Sequence, residues 1–151
     1  MKTCTFFGHY KIEITDDLKH LLHTKIESLI LDGFSTFLFG GLSEFDDLCY
    51  KIVSLLKTKY SHIERVFCFY NEKDLAKPPK WTKDLEYDRF TYFPLSFNWW
   101  YKRIYFRNCE MILNSDYVIF YVSHEENSGA YKALKFAKQN KKEYSNVAKS
   151  V

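Results

Sequence analysis

The sequence predicts an α/β protein with a three-layer, Rossmann-like, doubly wound and mostly parallel sheet of about five to six strands. Three observations carry that prediction. Short β-prone runs alternate with stretches of helical period, which is the pattern of successive βαβ units. The runs are nearly continuous in apolar character, as strands are when helices cover both faces of their sheet. Turns rich in Gly, Ser and Asp follow several of the runs directly and supply the caps that open helices.

Thr3 to Phe7 is the first strand, stopped by Gly8. After a polar turn, Leu18, Leu21, Leu22, Ile26, Leu29 and Ile30 recur at helical spacing between an amino-terminal signal at Thr15-Asp16-Asp17 and a carboxyl-terminal one at Asp32-Gly33. Ser35 to Phe39 is a second strand and runs into Gly40-Gly41. Ser43 then opens a helix whose apolar face is Phe45, Leu48, Cys49, Ile52, Val53 and Leu56. Ile63 to Tyr70 reads as a third strand. From Asn71 to Phe97 the pattern weakens: Lys77-Pro78-Pro79-Lys80-Trp81 is not helical, and Tyr87 to Phe93 forms at most a short strand. An excursion of this length is either a binding loop or a surface detour, and Trp81 is its notable residue. Trp99 to Leu113 returns to helical period, with a cluster of rings and bases from Trp99 to Arg103 and then Arg107-Asn108. Tyr117 to Val122 is the clearest strand, followed by a polar turn from Ser123 to Gly129. The next helix sets Ala130, Ala133, Leu134 and Ala137 inward, and a weak last strand runs from Glu143 to Ala148.

The 151 residues fit a single domain, 1–151, and 46% hydrophobic with 19% aromatic residues place the chain among globular proteins. Its 22 basic and 19 acidic side chains are scattered along the sequence. They give a net charge of +3 and no evident polyanion-binding stripe, so nucleic acid is not expected as a partner. Cys4, Cys49, Cys68 and Cys109 stand far apart inside apolar runs, without the close pairs of zinc or redox motifs. They read as buried thiols of a reducing compartment. With no signal-peptide core and no apolar run of membrane-spanning length, a cytoplasmic protein without membrane contact is expected.

In a parallel sheet of this kind the strands' carboxyl ends and the amino termini of the following helices meet on one rim, where free N–H groups and helix dipoles favour anions. Three segments fall there: Gly8-His9-Tyr10, Gly40 to Asp46, and Ser123 to Gly129. The glycine pair either lets a phosphate or ribose approach the backbone or simply provides positive φ for a turn. Ser43 adds a hydroxyl. Asp46 serves either as an acceptor for sugar hydroxyls or as a solvated partner of the helix dipole. His9 and His124 each follow a strand and are placed to face one another across the site, as phosphate donors or proton carriers. Neither has a Cys or carboxylate at ligand spacing, so no metal site is expected. Arg107 offers a guanidinium for phosphate.

In their joint order, Thr3-Cys4-Thr5-Phe6-Phe7-Gly8-His9, Phe39-Gly40-Gly41 with Phe45-Asp46, Arg107-Asn108, and Ser115-Asp116-Tyr117-Val118-Ile119 with Ser128-Gly129-Ala130 resemble the SLOG superfamily of Rossmann-like domains, in its YpsA-like branch, over nearly the whole chain. The resemblance implies a Rossmann-like sheet, frequent dimers and a pocket for a nucleotide or a nucleotide-derived ligand. It also implies relatives that include cytokinin-activating phosphoribohydrolases, DNA-processing proteins and sensors of ADP-ribose-type signals. Three positions depart from the family pattern: Tyr10 stands for an Arg, Glu44 for a further Gly, and Ser128-Gly129 for Gly-Gly. The Pro-Gly-Gly-x-Gly-Thr run of the phosphoribohydrolases, with its downstream catalytic Glu, has no counterpart here.

The function expected on these grounds is binding or sensing of a nucleotide or nucleotide-derived small molecule, of the ADP-ribose, NAD or nucleoside phosphate type, at the carboxyl edge of the sheet. The residues expected to hold it are Gly8, His9, Tyr10, Gly40, Gly41, Ser43, Asp46, Arg107, Ser123, His124, Ser128 and Gly129. A homodimer without a resident cofactor is expected. The first alternative is a hydrolase of an N-glycosidic or phosphate bond, with Asp46, Glu44 and His9 as the candidate catalytic groups. The second is a regulatory protein-interaction subunit whose pocket has decayed, which Glu44 in place of glycine favours.

Overall fold

The computed structural model of the protein describes residues 1–94, 102–126 and 128–149. In chain order its elements are β1 (Lys2–Gly8), α1 (Asp16–Leu31), β2 (Phe34–Phe39), α2 (Glu44–Lys57), β3 (Glu64–Phe69), a short α3 (Glu72–Ala76), a 3-10 turn (Lys80–Asp84), β4 (Arg89–Tyr92), α4 (Arg103–Leu113), β5 (Tyr117–Tyr121), α5 (Gly129–Gln139), β6 (Glu143–Asn146) and a closing 3-10 turn (Val147–Lys149). The strands form one sheet in the order β4-β3-β2-β1-β5-β6, and every pairing is parallel. The expected α/β doubly wound architecture is therefore present. The chain winds outward from β1 to β4 and then crosses to β5 on the other side of β1. The reversal of winding lies between β1 and β5, where open sheets of this class leave a crevice at the strands' carboxyl ends.

Local signals act at the helix boundaries as the sequence suggests. Thr15 Oγ1 accepts the Leu18 N–H at 3.1 Å to open α1. Past its C-cap, Gly33 takes a φ of +99°, a region that suits glycine. Ser43 and Asp46 form a reciprocal capping box at α2, and Ser128 Oγ accepts the Tyr131 N–H at 3.1 Å to open α5. Alternate strand residues face opposite layers. Cys4 and Phe6 of β1 join Phe37, Phe39 and Phe67 beneath α1 and α2. Phe7 joins Leu38, Val66, Val118 and Phe120 beneath α4 and α5, where Ala130, Ala133 and Ala137 let α5 lie close to the sheet.

The segment after β3 differs most from expectation. Asn71 Oδ1 caps α3 by accepting the Asp74 N–H at 2.8 Å, a one-turn helix too short to leave a periodic signal. The prolines do exclude helix up to Pro79, but that residue then serves as the entry to the 3-10 turn of Lys80–Asp84. Trp81 packs edge-on against Phe67 with ring centroids 5.1 Å apart, so it covers the core instead of lining a binding loop. Asp88 fixes the outer strand. Its carboxylate accepts the Arg65 backbone N–H at 2.7 Å and the Arg65 Nε–H at 3.1 Å, while its own N–H donates to the Arg65 carbonyl at 2.9 Å. The anticipated helical start at Trp99, with its rings Trp99, Trp100 and Tyr101, lies outside the described residues.

Gly8 ends β1 directly beneath the fully buried Phe45, and a Cβ built there would overlap the Phe45 ring. Gly8→Ala is accordingly expected to lower stability by roughly 1–3 kcal/mol, through forced repacking of α2. Gly129→Ala, whose Cβ would meet nothing within 4 Å, serves as the contrast and leaves stability unchanged or slightly raised. Urea midpoints of the two variants against the parent check both statements.

Candidate functional site

The carboxyl ends of β1 and β2 and the amino terminus of α5 open onto a cleft of about 380 Å³. Gly8, His9, Tyr10, Gly41, Ser43, Asp46, Arg107, Ser128 and Gly129 all line it, so most of the residues singled out from the sequence converge on one rim. Gly40 lies under the Arg107 guanidinium. Ser123 and His124 instead line a smaller neighbouring pocket of about 170 Å³, joined to the cleft through His9.

The glycines act through space and not through unusual torsions. Gly33 is the one described glycine with positive φ, so the turn at Gly40-Gly41 does not require it. Nor is the room above the pair left for a ligand. A Cβ on Gly41 would overlap Asp46 Oδ2, and one on Gly40 would sit 2.8 Å from Met111 Sδ and 2.9 Å from Arg107 Cζ. The missing side chains thus admit a carboxylate and a guanidinium to the edge of the sheet.

Asp46 is buried, contrary to a solvated role. Its Oδ2 accepts the Ser43 hydroxyl at 2.6 Å, while Oδ1 is shielded from solvent with no hydrogen-bond partner. Burial pushes its pKa up to about 6, against the opposing pull of the Ser43 bonds and of Arg107. Arg107 is also buried. Nε and Nη2 both donate to Asn108 Oδ1, at 3.2 and 2.9 Å, and Nη1 donates to the Cys68 carbonyl at 3.4 Å. Burial lowers its pKa, but a guanidinium still keeps its charge. Those bonds use three of its five N–H groups, which fixes the plane of the fork and leaves donors in reserve.

The histidines do not face each other across a gap. The rings of His9 and His124 are stacked, with centroids 3.9 Å apart and planes within 2°. His9 Nε2 accepts the Ser123 N–H at 2.9 Å, so the neutral ring carries its proton on Nδ1. Burial first, and then the neighbouring His124, hold its pKa below the usual histidine value, with Glu126 opposing. His9 therefore ties the turn after β5 to the end of β1, and its Nε2 is unavailable as a phosphate donor. Glu44 also has a structural role. Its carboxylate accepts the Ile12 N–H at 3.0 Å and its backbone N–H donates to the Tyr10 carbonyl at 2.8 Å, so it holds the β1–α1 loop and does not fill the cleft. The decayed-pocket alternative loses its basis with that placement.

A second cleft of about 390 Å³ shares Tyr10, Gly41, Leu42, Ser43 and Asp46 with the first and continues past Tyr50, Leu85 and Tyr87. Together they form an open trough along the carboxyl edge, with Tyr10 at 71% and Leu42 at 65% exposure on its rim. Sequence reasoning did not assign Tyr50, Tyr87 or Asn108 to the site. Asn108 stood beside Arg107 in a noted motif, but Tyr87 belongs to the irregular excursion, and nothing in the sequence places that segment against α2. Among the described residues no three His, Cys, Asp or Glu side chains gather as a metal site would require.

No family model matches the chain, and no curated protein matches it. Among solved structures it is similar to DNA processing protein A from Helicobacter pylori, with a TM-score of 0.63 and 18% sequence identity over 95% of this chain and 63% of that one. The structure of that protein is described for its mode of binding single-stranded DNA. The likeness agrees with the Rossmann-like α/β fold, and the chain spans less than two thirds of its neighbour's length. Two expectations are corrected by it. A nucleotide-derived small molecule as the sensed ligand gives way, because the fold is shared with a binder of a nucleic-acid strand. The expectation that nucleic acid is not a partner is overturned as well: the solved neighbour is described for binding single-stranded DNA, and the expectation rested on charge order along the sequence, which folding rearranges in space.

The raised pKa of Asp46 has a defined sign. Its ordinary value is 3.8 and its folded value about 6, so its contribution is complete below the first and is lost as pH rises through the second. Relative to Asp46→Asn, the parent is expected to lose on the order of 2 kcal/mol between about pH 4 and pH 6.5 and to change little above that. Urea midpoints of the two proteins across that range measure the gap.

Proposed function

We propose that this chain binds single-stranded nucleic acid along the trough at the carboxyl edge of its sheet, as a single SLOG-type Rossmann-like domain working in the cytoplasm. The observation that carries the reading is the division of labour within the trough. One half gathers the first-turn N–H groups of α5 at Ser128-Gly129 and the Arg107 guanidinium, and the other half presents tyrosine rings. A strand needs both halves: donors for a phosphate, and an exposed π-face for an unstacked base.

In this reading a phosphate sits at the start of α5, beside Arg107. Tyr10, exposed and next to the phosphate end, offers its ring to the adjoining base. Similarity in fold to a protein whose structure is described for single-stranded DNA binding supports the assignment. The ordered motifs from Gly8-His9 to Ser128-Gly129 support the SLOG placement, and four buried free thiols suit a reducing compartment.

Fluorescence anisotropy with a labelled oligothymidylate is expected to show binding that weakens steeply with salt and exceeds that of the matched duplex. Gly129→Glu provides the specific test. A side chain at this position meets open space and an acidic group in the first turn suits the helix dipole, so the fold is retained. The added charge faces the proposed phosphate and should weaken binding about tenfold or more. No binding at low salt, or equal affinity for duplex, overturns the assignment.

A further inference from the structure

The two helical layers of this protein differ in charge. α4 and α5 carry Arg103, Arg107, Lys132, Lys135 and Lys138 against Glu110 alone, and α5 has no acidic residue. On the opposite face, α1 and α2 carry Asp16, Asp17, Glu27, Glu44, Asp46 and Asp47 among four lysines. Between α4 and α5 runs a groove of about 530 Å³. Tyr105, Phe106 and Phe136 form its walls, and Lys132 and Lys135 are exposed on its margin. Its basic side belongs to the same helix whose first turn opens onto the carboxyl-edge cleft, so α5 connects the two.

We infer that the α4–α5 groove is a second contact for single-stranded nucleic acid, receiving the part of the strand that leaves the cleft at Ser128-Gly129. This inference rests on the proposed function and extends it from a phosphate site to a path. The chemistry matches on two counts. Lys132 and Lys135 lie one turn apart on a helix without acidic side chains, so they present a local positive field to successive phosphates. The aromatic walls between them and α4 give unstacked bases apolar, ring-bearing surface, which an acidic protein segment has less use for. Lys135 rests its ammonium 5.3 Å from the Tyr131 ring, which holds the charge at the surface of α5. The groove therefore pairs cations with rings, as sequence-independent binders of single strands do.

The test compares a short oligothymidylate of about five nucleotides, which the edge cleft alone accommodates, with one of about twenty. The double variant Lys132→Glu, Lys135→Glu alters only exposed side chains, and Lys132→Gln, Lys135→Gln repeats the test without new negative charge, each checked for native circular dichroism. The expected result is about a tenfold or greater loss in affinity for the long strand in the first variant, a smaller loss in the second, and short-strand binding within about twofold of the parent. The slope of log K against log salt for the long strand should shrink by about 1.4, the value for two lost contacts on a single strand. Unchanged long-strand affinity and slope, while the parent binds both strands, overturn the second contact and leave the edge site standing. Loss of both strands by equal factors also overturns it, because the lysines would then act at the edge cleft. A polyglutamate peptide that binds the parent as tightly as the long strand, and loses affinity equally in the variants, assigns the groove to acidic proteins. A parent that binds neither strand overturns the edge site and this inference together.

Discussion

The carboxyl edge of this sheet depends on three positions at which there is no Cβ. At the end of β1, Gly8 admits the Phe45 ring, and at the end of β2, Gly40 and Gly41 admit Arg107 and Asp46. Side chains from α2 and α4, on opposite faces of the sheet, can therefore close over the strand ends and meet at the rim. That closure buries a carboxylate and a guanidinium at the rim of two layers that are otherwise apolar. A larger residue at any of the three would displace one of these groups, and the cleft would lose a wall or a charge.

The same closure sets the electrostatics. Arg107 is stabilised by Asn108 and by a backbone carbonyl, so its charge survives burial without a direct carboxylate partner among the described residues. Asp46 is held by its capping box and lowers its desolvation cost by retaining a proton over part of the physiological range. Each group keeps hydrogen-bonding capacity that the protein does not use: N–H donors on Arg107 and Oδ1 on Asp46. A fully satisfied ion pair would be more stable but would leave nothing for a ligand to complete.

Much of this was legible in the sequence, where a residue's role depends on its near neighbours. The strand and helix alternation, the caps at Thr15, Ser43 and Ser128, and the gathering of three turns on one rim follow from local chemistry and from the geometry of parallel sheets. The roles of Glu44 and His9 were not legible, because each is decided by a partner far away: the Ile12 N–H for one, and Ser123 with His124 for the other. The short α3 and the 3-10 turn carry too few residues to show a period. Tyr50 and Tyr87 meet only because β4 docks beside β3, through an Asp88–Arg65 lock that no pattern of spacing announces.

Charge shows the same limit most clearly. Read in order, basic and acidic residues alternate closely enough that no stripe stands out, and the net charge of +3 looks uninformative. A doubly wound fold sorts that order by layer, because helices preceding the crossover cover one face of the sheet and helices following it cover the other. The acidic side chains of α1 and α2 and the basic ones of α5 therefore end up on opposite sides of the molecule. The relevant quantity is the charge of each helical layer and not that of the whole chain. A nucleic-acid strand entering at the sheet edge would meet the basic layer on one side only, which gives its path a direction that the edge cleft by itself does not supply.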